Sequence, residues 1–260
     1  MTTFSLLGTT LQYIVLLMLC AWVVSLIRGK ACVVDSFWGL GFIVATWTAY
    51  IQGPGTSRGL LVALLVTIWA IRLIAHITRR NWGKPEDRRY QAMRDYRGPK
   101  FWWISLFTVF LLQALILWVV ALGPQLAQLA PRPEHLTWLD GLGVLIFAVG
   151  LAFEAVGDYQ MDQFKQDPNN AGKVMDQGLW AYTRHPNYFG ESLIWWGIFC
   201  IALATPYWWA AWISPALITL LLLKVSGVAM LEKDIAERRP AYAVYKRKVN
   251  AFIPGLPSKW

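Results

Sequence analysis

Apolar residues fill seven long stretches of the chain, at about 4–27, 34–51, 59–78, 102–123, 138–157, 188–205 and 207–231, with polar residues gathered between them. Each stretch reaches or approaches the roughly 20 mostly apolar residues that a bilayer-crossing helix needs. A helix satisfies its own backbone polar groups, which lipid cannot do. Gly53-Pro54-Gly55, Pro131-Arg132-Pro133 and Pro206 punctuate the breaks. The pattern predicts an all-α polytopic membrane protein with seven transmembrane helices, forming a single integral-membrane domain over residues 1–260.

Composition strengthens that prediction. Of 260 residues, 57% are hydrophobic and 15% charged, whereas soluble domains carry about a quarter charged residues. Soluble, disordered and disulfide-stapled classes are thereby excluded. Cys20, Cys32 and Cys200 lie in apolar stretches without metal or disulfide spacing, so no metal site is expected. The first stretch lacks a basic leader and a small-residue cleavage site, so a removable signal peptide is not expected.

The net charge of +9 sorts by side. With the N-terminus outside and the C-terminus cytoplasmic, the inner segments hold Arg28, Lys30, eight bases from Arg79 to Lys100, Lys165, Lys173, Arg184 and seven bases from Lys233 to Lys259. Only Arg58 and Arg132 fall outside. That asymmetry is the positive-inside pattern; it makes membrane lipids the anionic partner and excludes nucleic acid. The expected location is a bacterial inner membrane or, in a eukaryote, the endoplasmic reticulum. No repeat or inverted pair of broken helices favours a transporter, and no small-residue face reveals an oligomeric state.

Ionisable groups inside apolar runs are costly and therefore candidates for function. Asp35 lies within a turn of the second run's inner end, beside Ser36 and close to Trp38; a functional role stands against snorkelling to the interface. Arg72 and His76, four apart, share a face of the third helix, with Asp35 an available partner for Arg72 and ordinary packing the plainer reading of His76. Glu154, Asp158 and Asp162 stack on one face of the fifth helix and need cations or hydroxyl donors opposite.

The densest constellation runs from Asp176 to Glu191. Pro186 marks a helix start, and Thr183-Arg184-His185 precede it at the inner membrane face, where free N–H groups and the helix dipole favour phosphate. Asn187 and Glu191, one turn apart, suit amide or sugar hydroxyl groups. An interface cap with a snorkelling Arg leaves Glu191 unexplained. The stretch Met230 to Asp234, then Tyr242 to Lys248 and Phe252-Ile253-Pro254, reads as an interfacial amphipathic helix in which Tyr245 or a base could touch phosphate.

Gly178-Leu179-Trp180-x-Tyr182-x-Arg184-His185-Pro186-Asn187-Tyr188-x-Gly190-Glu191, preceded by Glu154-x-x-x-Asp158, resembles the C-terminal domain of the steroid 5α-reductase family. The Tyr-x-x-Tyr and Phe-Ile-Pro tail is similar to that family's as well, and Val34-Asp35-x-Phe37-Trp38-Gly39 is similar to a bacterial branch of it. The resemblance covers most of the chain, most strongly 145–255. It implies an NADPH-dependent reduction of a carbon–carbon double bond conjugated to a carbonyl, in a 3-oxo-Δ4-steroid or another lipid. It implies cofactor contacts at Glu154, Asp158, Lys165, Lys173, Asn187 and Glu191; beside them the loop and tail residues Tyr182, Arg184, His185, Tyr188 and Tyr245 are expected to contact the cofactor. Lys165 and Lys173 stand where the family often has Arg, and Glu154 where some relatives have Asn.

On that basis residues 1–100 carry the substrate side, and 101–260 bind NADPH from the cytosolic face. The family places a Glu in the second span and a Tyr in the third; here the second offers Asp35, and the third offers Trp69, Arg72 and His76 but no Tyr. Asp35 is the expected donor to the substrate oxygen, with His76, Arg72 and the tyrosines of the Asp87–Tyr96 loop as alternatives, and Trp38 and Trp69 as substrate contacts. Two rivals remain. Isoprenylcysteine carboxyl methyltransferases share the Arg-His-Pro-x-Tyr loop and bind S-adenosylmethionine, and a non-enzymatic lipid-binding or transport protein would need no cofactor.

Overall fold

The computed structural model describes residues 2–225, 227–233, 235 and 239–256, and among these every regular element is helical. Asp234 and Lys259, named above, lie outside the described residues. In chain order the helices are α1 (Thr3–Arg28), α2 (Val33–Gln52), α3 (Ser57–Asn81), α4 (Arg88–Arg97), α5 (Phe101–Ser105), α6 (Leu112–Val120) and α7 (Leu122–Leu129). They continue with α8 (Trp138–Gln166), α9 (Pro186–Ala202), α10 (Trp208–Ala211), α11 (Ile213–Leu220), α12 (Val228–Leu231) and α13 (Ala241–Lys248). Wider π turns, Leu106–Leu111 and Leu221–Val225, follow α5 and α11.

Five stretches are long and apolar enough to cross a membrane: Thr3–Arg28, Ser57–Asn81, Arg88–Val120, Trp138–Gln166 and Trp208–Leu231. The second and sixth apolar runs form α2 and α9, helices of 20 and 17 residues outside that group. Asp35, Ser36, Thr46 and Thr48 dilute the first, while the second is short and begins with the polar Asn187 and Glu191. Leu16, Ile68, Leu115 and Leu145 each leave more than half of their surface exposed in mid-helix, as side chains that face lipid do. Those surfaces and helix lengths are compatible with an integral membrane protein.

The chain divides into two compact units, residues 1–137 with 202–213, and 138–201 with 214–260; the boundary falls well beyond residue 100. In the first unit α2 packs between α1 and α3, and α7 packs on both α2 and α3. Thr2 and Thr56 cap α1 and α3 by accepting from Ser5 and Gly59 N–H groups. Gly29, at φ +66°, ends α1 in the left-handed conformation that glycine adopts freely. Phe42, Trp69, Phe110 and Leu117 fill the core. Arg58, counted above among the outer bases, is buried. It is 1% exposed, donating through Nη1 to Pro133 O (3.0 Å) and through Nη2 to His135 O (3.3 Å).

The second unit is built on an antiparallel α8–α9 pair. Gly143, Gly150 and Gly157 recur every seven residues along α8, which holds them on one stripe. A Cβ on Gly150 would lie 2.6 Å from Gly190 O, and one on Gly143 would lie 2.6 Å from Gly197 O. The two backbones therefore touch. The tail, expected as one amphipathic helix, is instead divided between α12 and α13.

Candidate functional sites

In the first unit, Asp35 occupies the first turn of α2. Its Oδ1 accepts from the Tyr90 hydroxyl (2.6 Å) and its Oδ2 from Arg89 Nη2 (3.0 Å). These partners come from α4, so the ion pair of Asp35 is made with Arg89 rather than with Arg72. Asp87 sets where α4 begins by accepting from Arg89 N–H (2.9 Å), and it binds the Arg89 side chain as well. Burial pushes its carboxyl up, but the Arg89 hydrogen bonds and charge overcome that and hold it below the ordinary range. Gln113 of α6 donates to the Tyr90 oxygen (3.2 Å).

Glu86 joins α4 to α2. The side chain of Cys32, the residue before α2, makes no cap hydrogen bond. The Glu86 carboxylate supplies one instead, accepting from Ala31 N–H (2.6 Å) and Cys32 N–H (2.9 Å) while pairing with Arg94 (3.4 Å). Burial, with Glu86 beside it, pushes the Cys32 thiol up to about 11.

One turn beyond Asp35, Trp38 Nε1 is buried without a hydrogen-bond partner. The Trp38 ring meets Phe42 edge-on (5.4 Å), and Phe42 in turn meets Trp69 (5.3 Å). Trp69, expected as a substrate contact, is wholly buried behind Phe42. Arg72 and His76 are half-buried on α3.

In the second unit, Asn187 Nδ2 donates to Asp158 Oδ1 (3.0 Å), which brings together residues 29 apart in sequence. Asn187 Oδ1 is buried with no partner. Glu154 is 3% exposed and lies at the glycine seam, since a Cβ on Gly190 would meet its backbone nitrogen at 2.5 Å. Glu191 and Asp162 are half-buried. Lys165 and Lys173 are exposed, in the last turn of α8 and in the loop after it.

Arg184 and His185, expected as a phosphate seat, both reach Glu232. Glu232 receives Arg184 Nε (2.8 Å) and Nη2 (3.0 Å), His185 Nε2 (3.0 Å), the Tyr242 hydroxyl (3.1 Å) and Lys246 Nζ (3.2 Å). The remaining guanidinium nitrogen, Nη1, donates to the carbonyls of Lys246 and Val249. Every guanidinium nitrogen is thus used within the protein. Burial would raise the Glu232 carboxyl, but the hydrogen bonds from His185, Arg184 and Lys246 and the Arg184 charge hold it far below the usual carboxylate range. Tyr188 stacks on His185, with ring centres 5.5 Å apart.

The hydroxyl of Tyr245, an expected phosphate contact, donates to Trp180 O; Trp180 in turn donates to Gly157 O (3.0 Å). Tyr182 is exposed, and its carbonyl accepts from Gly255 N–H. Sequence reasoning did not single out Glu232, Glu86, Arg89 or Gln113. The one available signal was Glu232, a carboxylate set among the bases that follow the last apolar run.

The family model of DUF1295, described as a protein of unknown function, matches residues 21–249. An uncharacterized protein of Schizosaccharomyces pombe is 28% identical over 249 residues, covering 86% of this chain and 69% of that protein. A probable O-methyltransferase of Ustilaginoidea virens is 48% identical over 46 residues, 18% of this chain and 16% of that protein. No solved structure matches the chain.

Proposed function

Because the chain belongs to the DUF1295 family, a membrane-protein family related to the steroid 5α-reductases, we propose that it is a seven-span, NADPH-dependent reductase of a conjugated carbon–carbon double bond in a lipid. A 3-oxo-Δ4-steroid is the favoured substrate class. The N-terminus faces outward and the cofactor is drawn from the cytoplasm. The observation that carries this reading is the Tyr90–Asp35 pair with Gln113 on the phenol oxygen, a carboxyl–tyrosine couple where the polar helix α4 meets the apolar helices α2 and α6.

The second unit's residues fit the nucleotide. The buried Asn187 Oδ1 lacks a donor, and Glu154, Asp158 and Glu191 add acceptors suited to carboxamide and ribose hydrogens; Lys165 and Lys173 suit the phosphates. When bound, NADPH supplies the hydride. Hydride addition to an enone β-carbon moves charge to the carbonyl oxygen, which a donor must meet. Tyr90 is that donor. Its hydroxyl, given to Asp35 in this structure, would turn to the substrate oxygen on binding, with Gln113 donating to the phenol oxygen and Asp35, paired with Arg89, setting the resting position of the ring. This transfers the donor role expected of Asp35 to its neighbour and leaves Asp35 to position it. Trp38 Nε1, buried and unpartnered, is a second N–H donor for substrate. The proton added at the α-carbon comes from solvent, so hydride and proton together saturate the double bond.

A methyltransferase reading is favoured by one observation, the 46-residue likeness to a probable O-methyltransferase. Titrating the purified protein with NADPH and with S-adenosylmethionine separates the two. Thermal stabilisation by NADPH, and its oxidation on adding steroid enones or enoyl lipids, supports the reductase; stabilisation by S-adenosylmethionine alone overturns it.

A further inference from the structure

The end of the first unit where α1, α3 and α4 meet carries far more positive charge than the fold consumes. Lys30 Nζ donates to Lys84 O and Arg94 Nη2 to Gly29 O, so the ends of α1 and α4 and the segment after α3 adjoin. The acids of this end are already engaged: Asp35 and Asp87 with Arg89, Glu86 with Arg94, and Asp95 with the Gln91 amide. Lys84, Arg88, Arg97 and Lys100 are exposed, and among the described residues none of them has an acidic partner. Trp82 and Trp102, 72% and 56% exposed, belong to the same stretch. Indole rings favour the headgroup level of a bilayer, and surface bases favour anionic lipid.

We infer that this surface binds anionic phospholipid headgroups, with the four bases on the phosphates and the two indoles at the level of the glycerol groups. Water-facing bases would need no large exposed indoles beside them, and a protein partner would need acids of its own to match. Each base near an anionic membrane contributes about fivefold to affinity. Removing three of them therefore lowers phosphatidylglycerol binding on the order of a hundredfold.

The test uses the full-length protein purified in a neutral detergent. Lipid adducts are counted by native mass spectrometry, and affinity is measured with nanodisc lipids of phosphatidylglycerol or phosphatidylcholine. R88Q/R97Q/K100Q is compared with K233Q/R247Q, which removes exposed bases from the second unit. Preferential phosphatidylglycerol retention by wild type and by K233Q/R247Q, lost in the triple variant, supports the site. Equal retention by the triple variant overturns it, as does equal binding of phosphatidylcholine. Matching stabilisation by inorganic phosphate alone also overturns it, because the site would then be a free-anion site.

Discussion

Replacing Glu232 by alanine tests whether the Arg-His-Pro loop is held by an internal counter-charge. Glu232 and Arg184 are each 7% exposed and joined by two hydrogen bonds, while Lys246, on the same carboxylate, is 52% exposed. Deleting one partner of a buried pair costs about 3–5 kcal/mol, because the other charge stays buried without compensation. Deleting an exposed partner costs at most about 1 kcal/mol. Glu232→Ala is therefore expected to lower Tm on the order of 10 °C, at roughly 2–4 °C per kcal/mol, and Lys246→Ala by no more than a few degrees. Thermal unfolding followed with a thiol-reactive fluorophore in a Cys20→Ser/Cys32→Ser background suits the measurement, because Cys20 is exposed whereas Cys200, in the same unit as Glu232, is buried. A Glu232→Ala variant within about 1 kcal/mol of wild type, or a Lys246→Ala variant as damaged as Glu232→Ala, would refute the reasoning. The pH dependence has a fixed sign. The folded carboxyl lies below the ordinary glutamate value of 4.5, so its contribution is complete above that pH and declines as pH falls toward the folded value. Glu232→Gln should flatten that acid limb.

Further outcomes are expected. Tyr90→Phe should lower kcat for enone reduction by about 10²–10³ while NADPH affinity stays unchanged; normal turnover would remove Tyr90 from the chemistry. Asn187→Ala should weaken NADPH binding about tenfold, the cost of one hydrogen bond to a nucleotide, read by fluorescence titration. Gly150→Ala, whose Cβ meets Gly190 O at 2.6 Å, should destabilise by about 1–3 kcal/mol. Gly141→Ala, with nothing within 4 Å, should be neutral or slightly stabilising. Cys32, with its thiol up to about 11, should resist maleimide at pH 7.5 in the folded protein; fast labelling would contradict its burial.

The long helices were legible because their apolar runs are long and only sparsely broken by polar residues, as in α1, α3 and α8. α2 and α9 were legible as runs, but their polar residues set them apart from the five most apolar stretches. Asp35, Glu154, Asp158 and Asn187 stood out because a charge or amide among leucines must be accounted for. Glu86, Arg89 and Glu232 did not, since each lies in a polar segment where a charge attracts no notice. Their partners are also remote in sequence, 48 residues apart for Arg184 and Glu232. Arg184 and His185 were legible as a motif but not as to what they hold, because spacing records neighbours along the chain and not across it. Arg58 shows the same limit, since its sequence neighbours do not reveal the carbonyls of Pro133 and His135 that it reaches.

The glycine seam between α8 and α9 divides the second unit by pliability. Helices that meet backbone to backbone have no side chains between them to re-pack, so they neither slide nor spread without breaking many contacts together. The loop at Thr183–His185 and the segment after it in space, Tyr242 to Gly255, are joined instead by side-chain ties and single backbone bonds, which open one at a time. Amide hydrogens along 143–157 and 190–201 should therefore exchange last, and those of the tail first. Any opening of this unit moves the tied part over a fixed plate.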